Sequence, residues 1–148
     1  MQPICIFGVF VADLCFYAEK IPIKGETVLG NKHLVGPGGK GSNQAIAAAR
    51  LEGKVNFITK MGEDSHADMA FKIYKDAGVI TNSITKDKNL STGVAGIMID
   101  NDGSNAINIV PGAAAHLNNK DIDNNLEILK KTKTVSYTHL TLPTKRIV

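Results

Sequence analysis

The sequence lacks the features that mark several classes of protein. Its 17 basic and 14 acidic residues leave a formal net charge of +3, and the lysines are spread along the chain. That excess is too small and too scattered to favour a nucleic acid or a membrane surface as partner. No stretch approaches the roughly 18–20 uninterrupted apolar residues that a membrane span needs, and the N-terminus has no signal-peptide pattern. We therefore expect a soluble, unexported protein with no nucleic-acid or membrane partner.

Cysteine is scarce, and histidine is poorly placed for metal chemistry. The two cysteines, Cys5 and Cys15, lie in the apolar N-terminal part of the chain. Free buried thiols are expected there rather than a disulfide, which fits a cytoplasmic location. The four histidines show no metal-ligand spacing, so no metal-binding residue is predicted.

The residues that are present predict an α/β domain. The 148 residues, 43% of them hydrophobic, suit one globular domain. The run from Ile4 to Val11 is continuously apolar, as in a strand covered on both faces in a parallel sheet. An alanine-rich segment at 43–51 predicts a short helix, and residues 55–61 predict another strand. An S-x-x-D capping box at Ser65 then opens a second helix with apolar residues at helical spacing.

Other segments have one polar face and predict a second, smaller sheet. Residues 13–21 and 26–35 read as two short strands, and 92–99 with 105–110 read as a hairpin around a polar turn. A last helix is predicted from about Asn119 onward. The element order indicates a parallel sheet with flanking helices and an appended small sheet.

Residues 36–44 read G-P-G-G-K-G-S-N-Q and admit three interpretations. A Walker-type phosphate loop fails, because it needs a glycine where Leu34 stands and a hydroxyl where Gly41 stands. The G-x-G-x-x-G dinucleotide fingerprint matches, but it should directly follow the first buried strand, and two half-exposed segments intervene. The third interpretation is a plain strand-to-helix turn, with Lys40 in solvent and Asn43 capping the helix. The loop composition alone does not decide between the last two.

The segments on either side of the glycine-rich stretch form a wider pattern with it. They read G-V-F-V-A-D (8–13), K-G-E-T-V-L-G (24–30), G-G-K-G-S-N-Q-A (38–45), M-G-E-D (61–64), G-V (78–79), S-T-G-V (91–94) and P-G-A-A (111–114). Together they resemble the N-terminal half of the ribokinase-like, or PfkB-type, carbohydrate kinases. Order and spacing agree over roughly residues 3–134, which would form the N-terminal part of such a kinase domain.

The resemblance implies a fold and an activity. The fold would be Rossmann-like α/β, with a parallel sheet, flanking helices and a small β-sheet lid formed by residues of about 14–35 and 92–110. The activity would be transfer of the γ-phosphoryl group of ATP to a hydroxymethyl oxygen of a sugar, with Mg²⁺ and K⁺ as the associated ions. The partner would be a small-molecule sugar, and the full-length protein would be a homodimer through the lid.

By the same resemblance the glycine-rich segment binds sugar. Asp13 matches the family's aspartate that accepts hydrogen bonds from sugar hydroxyls, and the glycine-rich residues grip the other side. A carboxylate and an amide offer directional partners to vicinal hydroxyls, and glycines let the backbone come close and act as a hinge. The expected substrate-binding residues are Val11, Ala12, Asp13, Gly39, Lys40, Gly41, Ser42 and Asn43.

One position departs from the family pattern. Ribokinases usually carry Asn two residues before the aspartate, and Val11 stands there in this sequence. A site that hydrogen-bonds a hydroxyl discriminates more sharply than an apolar site. Sugar phosphorylation is therefore implied more strongly than ribose specificity, and fructose-type and nucleoside kinases are the alternatives within the family.

The C-terminal part does not continue the pattern. The family's catalytic aspartate and its ATP and cation sites would lie beyond this chain, so no catalytic residue is predicted and the chain as given is expected to be inactive. Residues 135–148 are expected to be a non-native tail, because 135–144 resemble a translated sequencing-library adapter; a genuine edge strand and tail is the alternative. The second functional hypothesis is a non-catalytic, sugar-binding or dimerising fragment.

Overall fold

The computed structural model describes residues 3–138 and arranges them in two sheets with flanking helices. The strands are β1 (Ile4–Phe7), β2 (Val11–Ala18), β3 (Gly30–Gly38), β4 (Val55–Gly62), β5 (Ile84–Asp87), β6 (Gly93–Ile99), β7 (Asn105–Val110) and β8 (Thr134–Tyr137). The helices are α1 (Lys40–Arg50), α2 (Ser65–Ala77), α3 (Asn119–Asp123) and α4 (Leu126–Lys130), with a 3-10 helix at Gly112–His116. Among these residues no helix is long and apolar enough to cross a membrane.

The central sheet is parallel throughout, in the order β5-β4-β1-β8. β4 is almost completely buried, although its sequence includes Asn56, Thr59 and Lys60. α1 and α2 supply alanines to the core, where small side chains let a helix approach the sheet closely. Tyr74 of α2 fills the centre of this core and packs edge-to-face against Phe10 and Phe57.

The small sheet has the order β3-β2-β6-β7 and overlaps the segments predicted as a lid. β2 runs antiparallel to β3 and parallel to β6, and β6 and β7 form the predicted hairpin. β7 lies at the edge of the sheet and is exposed along its whole length, so neither of its faces is buried. The predicted fold class, a parallel sheet with flanking helices plus a small second sheet, is confirmed.

Several element boundaries differ from the sequence predictions. The run 4–11 is not one strand: β1 ends at Phe7, and β2 begins the small sheet at Val11. Phe10 is 0% exposed between them, so burial continues although the strand does not. α2 is capped by Asp64, whose carboxylate accepts from the Ala67 backbone N–H at 3.0 Å, rather than by the predicted Ser65.

The C-terminal region also differs. The single helix predicted from Asn119 is interrupted between α3 and α4, where the Asn125 side-chain amide donates to the Asp121 carbonyl at 2.8 Å. β5 and the 3-10 helix were not predicted. β8 pairs in parallel with β1 at the sheet edge, so the beginning of the segment expected to be non-native takes part in the sheet. The rest of that segment, 139–148, lies outside the described residues.

Candidate functional site

A cavity of about 590 Å³ lies between the small sheet and the start of α1. Its polar wall consists of Asp13 from β2 together with Gly39, Lys40 and Asn43 from the turn into α1. The opposite wall is largely apolar. The remaining lining residues are Val9, Val11, Ala95, Ile97, Ile107, Ile109, Pro111, Ala115 and Thr138.

Asp13 is held in this wall by the local backbone. It lies opposite Gly36 of β3 and Ala95 of β6. A Cβ added at Gly38 would lie 2.1 Å from Asp13 Oδ1, so a larger residue at 38 would displace the carboxylate from this position. Partial burial raises the pKa of Asp13 above its ordinary value. No described residue donates a hydrogen bond to its side chain, so the carboxylate is available to a ligand.

Gly39 makes the turn that brings α1 to the cavity. Its φ of 91° lies in the left-handed region, and a Cβ there would be 2.4 Å from the Val9 carbonyl oxygen. As N-cap of α1 it presents the first helical turn to the cavity. Lys40 and Asn43 are both exposed on that turn. Neither side chain is hydrogen-bonded or ion-paired to another described residue, so an ammonium and an amide face the cavity unpaired.

Ala12, Gly41 and Ser42, also predicted to bind substrate, do not line the cavity. Ala12 is 0% exposed in the core. A Cβ on Gly41 would lie 2.8 Å from the Gly8 Cα, so this glycine lets α1 pack against the chain after β1. The Ser42 hydroxyl accepts a hydrogen bond from the buried Tyr74 hydroxyl at 2.9 Å, and burial raises the pKa of Tyr74. These three residues are packed behind the cavity wall and do not line the cavity.

The apolar wall was missed by the sequence reasoning. Ile107 and Ile109 of β7 are 53% and 57% exposed, and they face the cavity together with Ala95 and Ile97 of β6. The alternation I-N-I-V in β7 was a readable signal for one apolar face. It could not show that this face lies opposite Asp13, because that depends on the order of strands in the small sheet.

A second cavity, of about 620 Å³, lies at the other end of the small sheet. It is bordered by Tyr17, Lys32 and Met98, among others, and by none of the predicted site residues. Lys20 and Glu26 form an ion pair beside it. It lacks an unpaired, partly buried carboxylate of the kind Asp13 provides, so the first cavity is the better candidate site.

The first cavity has the chemistry of a site for a small polyhydroxylated molecule. A carboxylate, an amide and an ammonium on one side suit hydroxyl groups. The apolar wall suits the C–H surface of a ring, since ligand pockets combine apolar lining with a few placed polar groups. Within residues 3–138, no three His, Cys, Asp or Glu side chains are grouped so that they could hold a metal ion.

Comparison with known proteins identifies the family. Residues 1–146 match the family described as "pfkB family carbohydrate kinase". The chain belongs to this family. The match continues past residue 134, where the kinase-like part was expected to end, and the boundary there stays a prediction.

The curated relatives are sugar kinases of about twice the length. A deoxyribokinase from Salmonella typhimurium is 39% identical over 132 residues, which are 89% of this chain and 43% of the relative. A ribokinase from Bacillus subtilis is 36% identical over 135 residues, 91% of this chain and 46% of the relative. This pfkB-family chain therefore spans less than half the length of the relatives it matches.

Solved structures of ribokinases are similar in fold to this chain. Arabidopsis thaliana ribokinase, complexed with ribose and ATP, matches with a TM-score of 0.83 and 32% identity over 93% of this chain and 45% of its own. Ribokinase from Giardia lamblia matches with a TM-score of 0.84 and 31% identity over 92% and 41%. The two-sheet arrangement is thus shared with ribokinases.

Proposed function

We propose that the protein carrying this chain transfers the γ-phosphoryl group of ATP to the hydroxymethyl group of a sugar, and that residues 1–134 supply the acceptor site. One observation carries the proposal. The Asp13 carboxylate, partly buried and with no hydrogen-bond donor among the described residues, faces a cavity that also presents Asn43 and an apolar wall.

The residues of this chain would bind and orient the acceptor. Asp13 would accept hydrogen bonds from two neighbouring hydroxyls, and Asn43 would donate to or accept from a third. Gly39 would let the ring approach the backbone, while β6 and β7 would cover the apolar side and exclude water. Such orientation contributes to phosphoryl transfer because that reaction depends on positioning and electrostatic stabilisation.

The catalytic base and the nucleotide site are proposed to lie in sequence C-terminal to this chain. Among the described residues, no three His, Cys, Asp or Glu side chains are grouped so that they could hold a metal ion. We therefore assign Mg²⁺ and K⁺ to the whole protein and derive no step through them.

For the acceptor, we propose a 2-deoxypentose ahead of ribose. Val11 is 6% exposed and lines the cavity two residues before Asp13. An apolar side chain cannot pair with a hydroxyl, whereas it contacts a deoxygenated carbon at no such cost. The similarity to a deoxyribokinase supports this choice, since that relative is 39% identical.

We also propose a homodimer through the small sheet. Phe16 lies opposite His33 and Met98 in register, so these side chains share the face that points away from Asp13. Phe16 and Met98 are 43% and 39% exposed, an apolar surface that a second copy would cover. Light scattering on the full-length protein measures the stoichiometry.

A non-catalytic sugar-binding or dimerising product is the second candidate. In such a product the cavity lined by Asp13 and Asn43 would bind a sugar, and the exposed Phe16 and Met98 would contact a second copy, without phosphoryl transfer. The downstream gene sequence separates the two. An open reading frame with a G-x-G-D motif supports the kinase, and an authentic stop supports the fragment.

The proposal is tested with the full-length protein that carries this segment. ADP release is followed with 2-deoxyribose, ribose, fructose and a nucleoside as acceptors. Asp13→Asn should reduce kcat/KM for the accepted sugar roughly a hundredfold or more, because hydrogen bonds to a charged group contribute about 1.5–3 kcal/mol each. Asp68→Asn, an exposed position in α2, is the matched control. Unchanged activity in Asp13→Asn would contradict the assignment.

A further inference from the structure

The small sheet is attached to the central layer at the start of β6. Asp64 Oδ2 accepts a hydrogen bond from the Thr92 backbone N–H at 2.7 Å. Thr92 Oγ1 in turn accepts one from the Gly62 backbone N–H at 3.0 Å. Thr92 is 2% exposed, so these bonds are shielded from water. We call Gly62, Asp64 and Thr92 the base clamp.

The end of β7 lies beside the start of β6, next to the base clamp. The Ala113 backbone N–H donates to the Ser91 carbonyl at 2.8 Å, and a Cβ on Gly112 would lie 2.4 Å from that oxygen. A Cβ on Gly93 would lie 2.6 Å from the Pro111 carbonyl oxygen. The chain entering β6 and the chain leaving β7 are therefore in direct contact, and the clamp fixes both.

The same carboxylate caps α2. Asp64 Oδ1 accepts from the Ala67 backbone N–H at 3.0 Å, while Oδ2 serves Thr92. Burial acts to raise the pKa of Asp64, but the hydrogen bonds from Thr92 and Ala67 outweigh it, so this pKa lies below its ordinary value. One ionised side chain thus links the first turn of α2 to the base of the small sheet.

We propose that Asp64 is a positioning residue for the sugar site. Through Thr92, Asp64 fixes the start of β6 and the end of β7. It thereby positions the apolar wall that these two strands form opposite Asp13. The inference rests on the proposed sugar-binding role of the cavity. It also assigns a role to the segments M-G-E-D and S-T-G-V, whose Asp64 and Thr92 do not line the cavity.

The clamp can be weakened while the helix cap is kept. In Asp64→Asn the amide oxygen still serves as an N-cap for Ala67, because Asn is as good a capping residue as Asp. Its NH₂ group then replaces the oxygen that accepts from Thr92. A second pair of variants acts from the other side: Thr92→Val removes the hydroxyl that accepts from Gly62, and Thr92→Ser retains it. Asp68→Asn, in the same helical turn, is the control.

The measurement is steady-state kinetics of the full-length protein with the sugar and ATP varied separately. Asp64→Asn and Thr92→Val should raise KM for the sugar about tenfold and leave KM for ATP at the parental value. Thr92→Ser and Asp68→Asn should match the parent. This split separates positioning from a general loss of structure, which would affect both substrates.

Two results would overturn the inference. One is a lower melting temperature with sugar KM within twofold of the parent; the other is an equal rise in both KM values. Should Asp64→Asn fail to fold, the comparison of Thr92→Val with Thr92→Ser decides alone. A parental protein that phosphorylates no sugar refutes the proposed function itself, and that result is seen before any variant is made.

Discussion

Replacing Val11 with Asn tests how the cavity selects its sugar. Val11 is buried opposite Gly93, and one of its methyl carbons lies 2.9 Å from where a Cβ on Gly93 would be. The substitution exchanges this packing for an amide. Without a sugar, the amide is buried with few partners, which costs about 1–3 kcal/mol of stability in addition to the lost apolar contact.

A ribose hydroxyl would satisfy part of that amide, and 2-deoxyribose would not. A net hydrogen bond contributes about 0.5–1.5 kcal/mol, and relief of an unpaired buried group adds a similar amount. The ratio of kcat/KM for ribose to that for 2-deoxyribose should therefore rise roughly 5–150-fold, which corresponds to about 1–3 kcal/mol.

The assay is ADP release by the full-length protein with each sugar, combined with thermal unfolding with and without ribose. Val11→Ala is the matched control, because it removes the packing without adding a polar group. It should lower the melting temperature and leave the sugar ratio within about twofold. The reasoning is refuted by an unchanged ratio in Val11→Asn, or by an equal change in Val11→Ala.

The remaining predictions concern the frame of the site. Gly39→Ala should destabilise the protein by at least about 2 kcal/mol, because of left-handed backbone strain and the contact with the Val9 carbonyl. Gly103→Ala is the control, since Gly103 also has a left-handed φ of 81° but has open space around it. Equal urea midpoints for the two variants would contradict the role of the Val9 contact. Lys60→Met should lower the free energy of unfolding, measured with urea, by about 3 kcal/mol. Lys60 Nζ lies 3.1 Å from Asp121 Oδ2 and the two side chains are only 11% and 6% exposed, so the substitution would leave a buried carboxylate without its partner. Asp13→Asn should raise the melting temperature at pH 7, because the raised pKa means that ionised Asp13 destabilises the fold; this gain should disappear as the pH falls through that pKa towards about 4.

Sequence patterns were informative wherever a local rule determines the structure. The helical spacing of α2, the strand composition of β4 and the polar turn between β6 and β7 each depend on neighbours in the chain. The split of the run 4–11 could not be predicted, because Phe10 and Val11 stay buried while the chain leaves one sheet for another. Burial was thus correctly predicted and strand continuity was not.

The site shows the same division. Asp13, Gly39, Lys40 and Asn43 were named from motif resemblance, and the fold brings these four residues to one cavity. Ser42 was expected from the resemblance to bind substrate, but its partner is Tyr74, and only the packing of α2 against α1 reveals that contact. The cavity-facing role of Ile109 likewise requires the order of strands in the small sheet.

The glycines of G-P-G-G-K-G-S-N-Q show why the turn and the sugar-binding interpretations are compatible. Gly38 leaves space for the Asp13 carboxylate, Gly39 takes the left-handed turn beside Val9, and Gly41 lets α1 pack on Gly8. Gly38, Gly39 and Gly41 each meet a packing requirement, whereas a Cβ on Gly36 would have nothing within 4 Å. The result is a carboxylate next to the first turn of a helix. The proposed ligand-binding side chains on this turn are then Lys40 and Asn43, which make no hydrogen bond or ion pair with another described residue. Substitution of Gly38, Gly39 or Gly41 should therefore reduce stability and sugar affinity together, whereas substitution of Asn43 should reduce affinity alone.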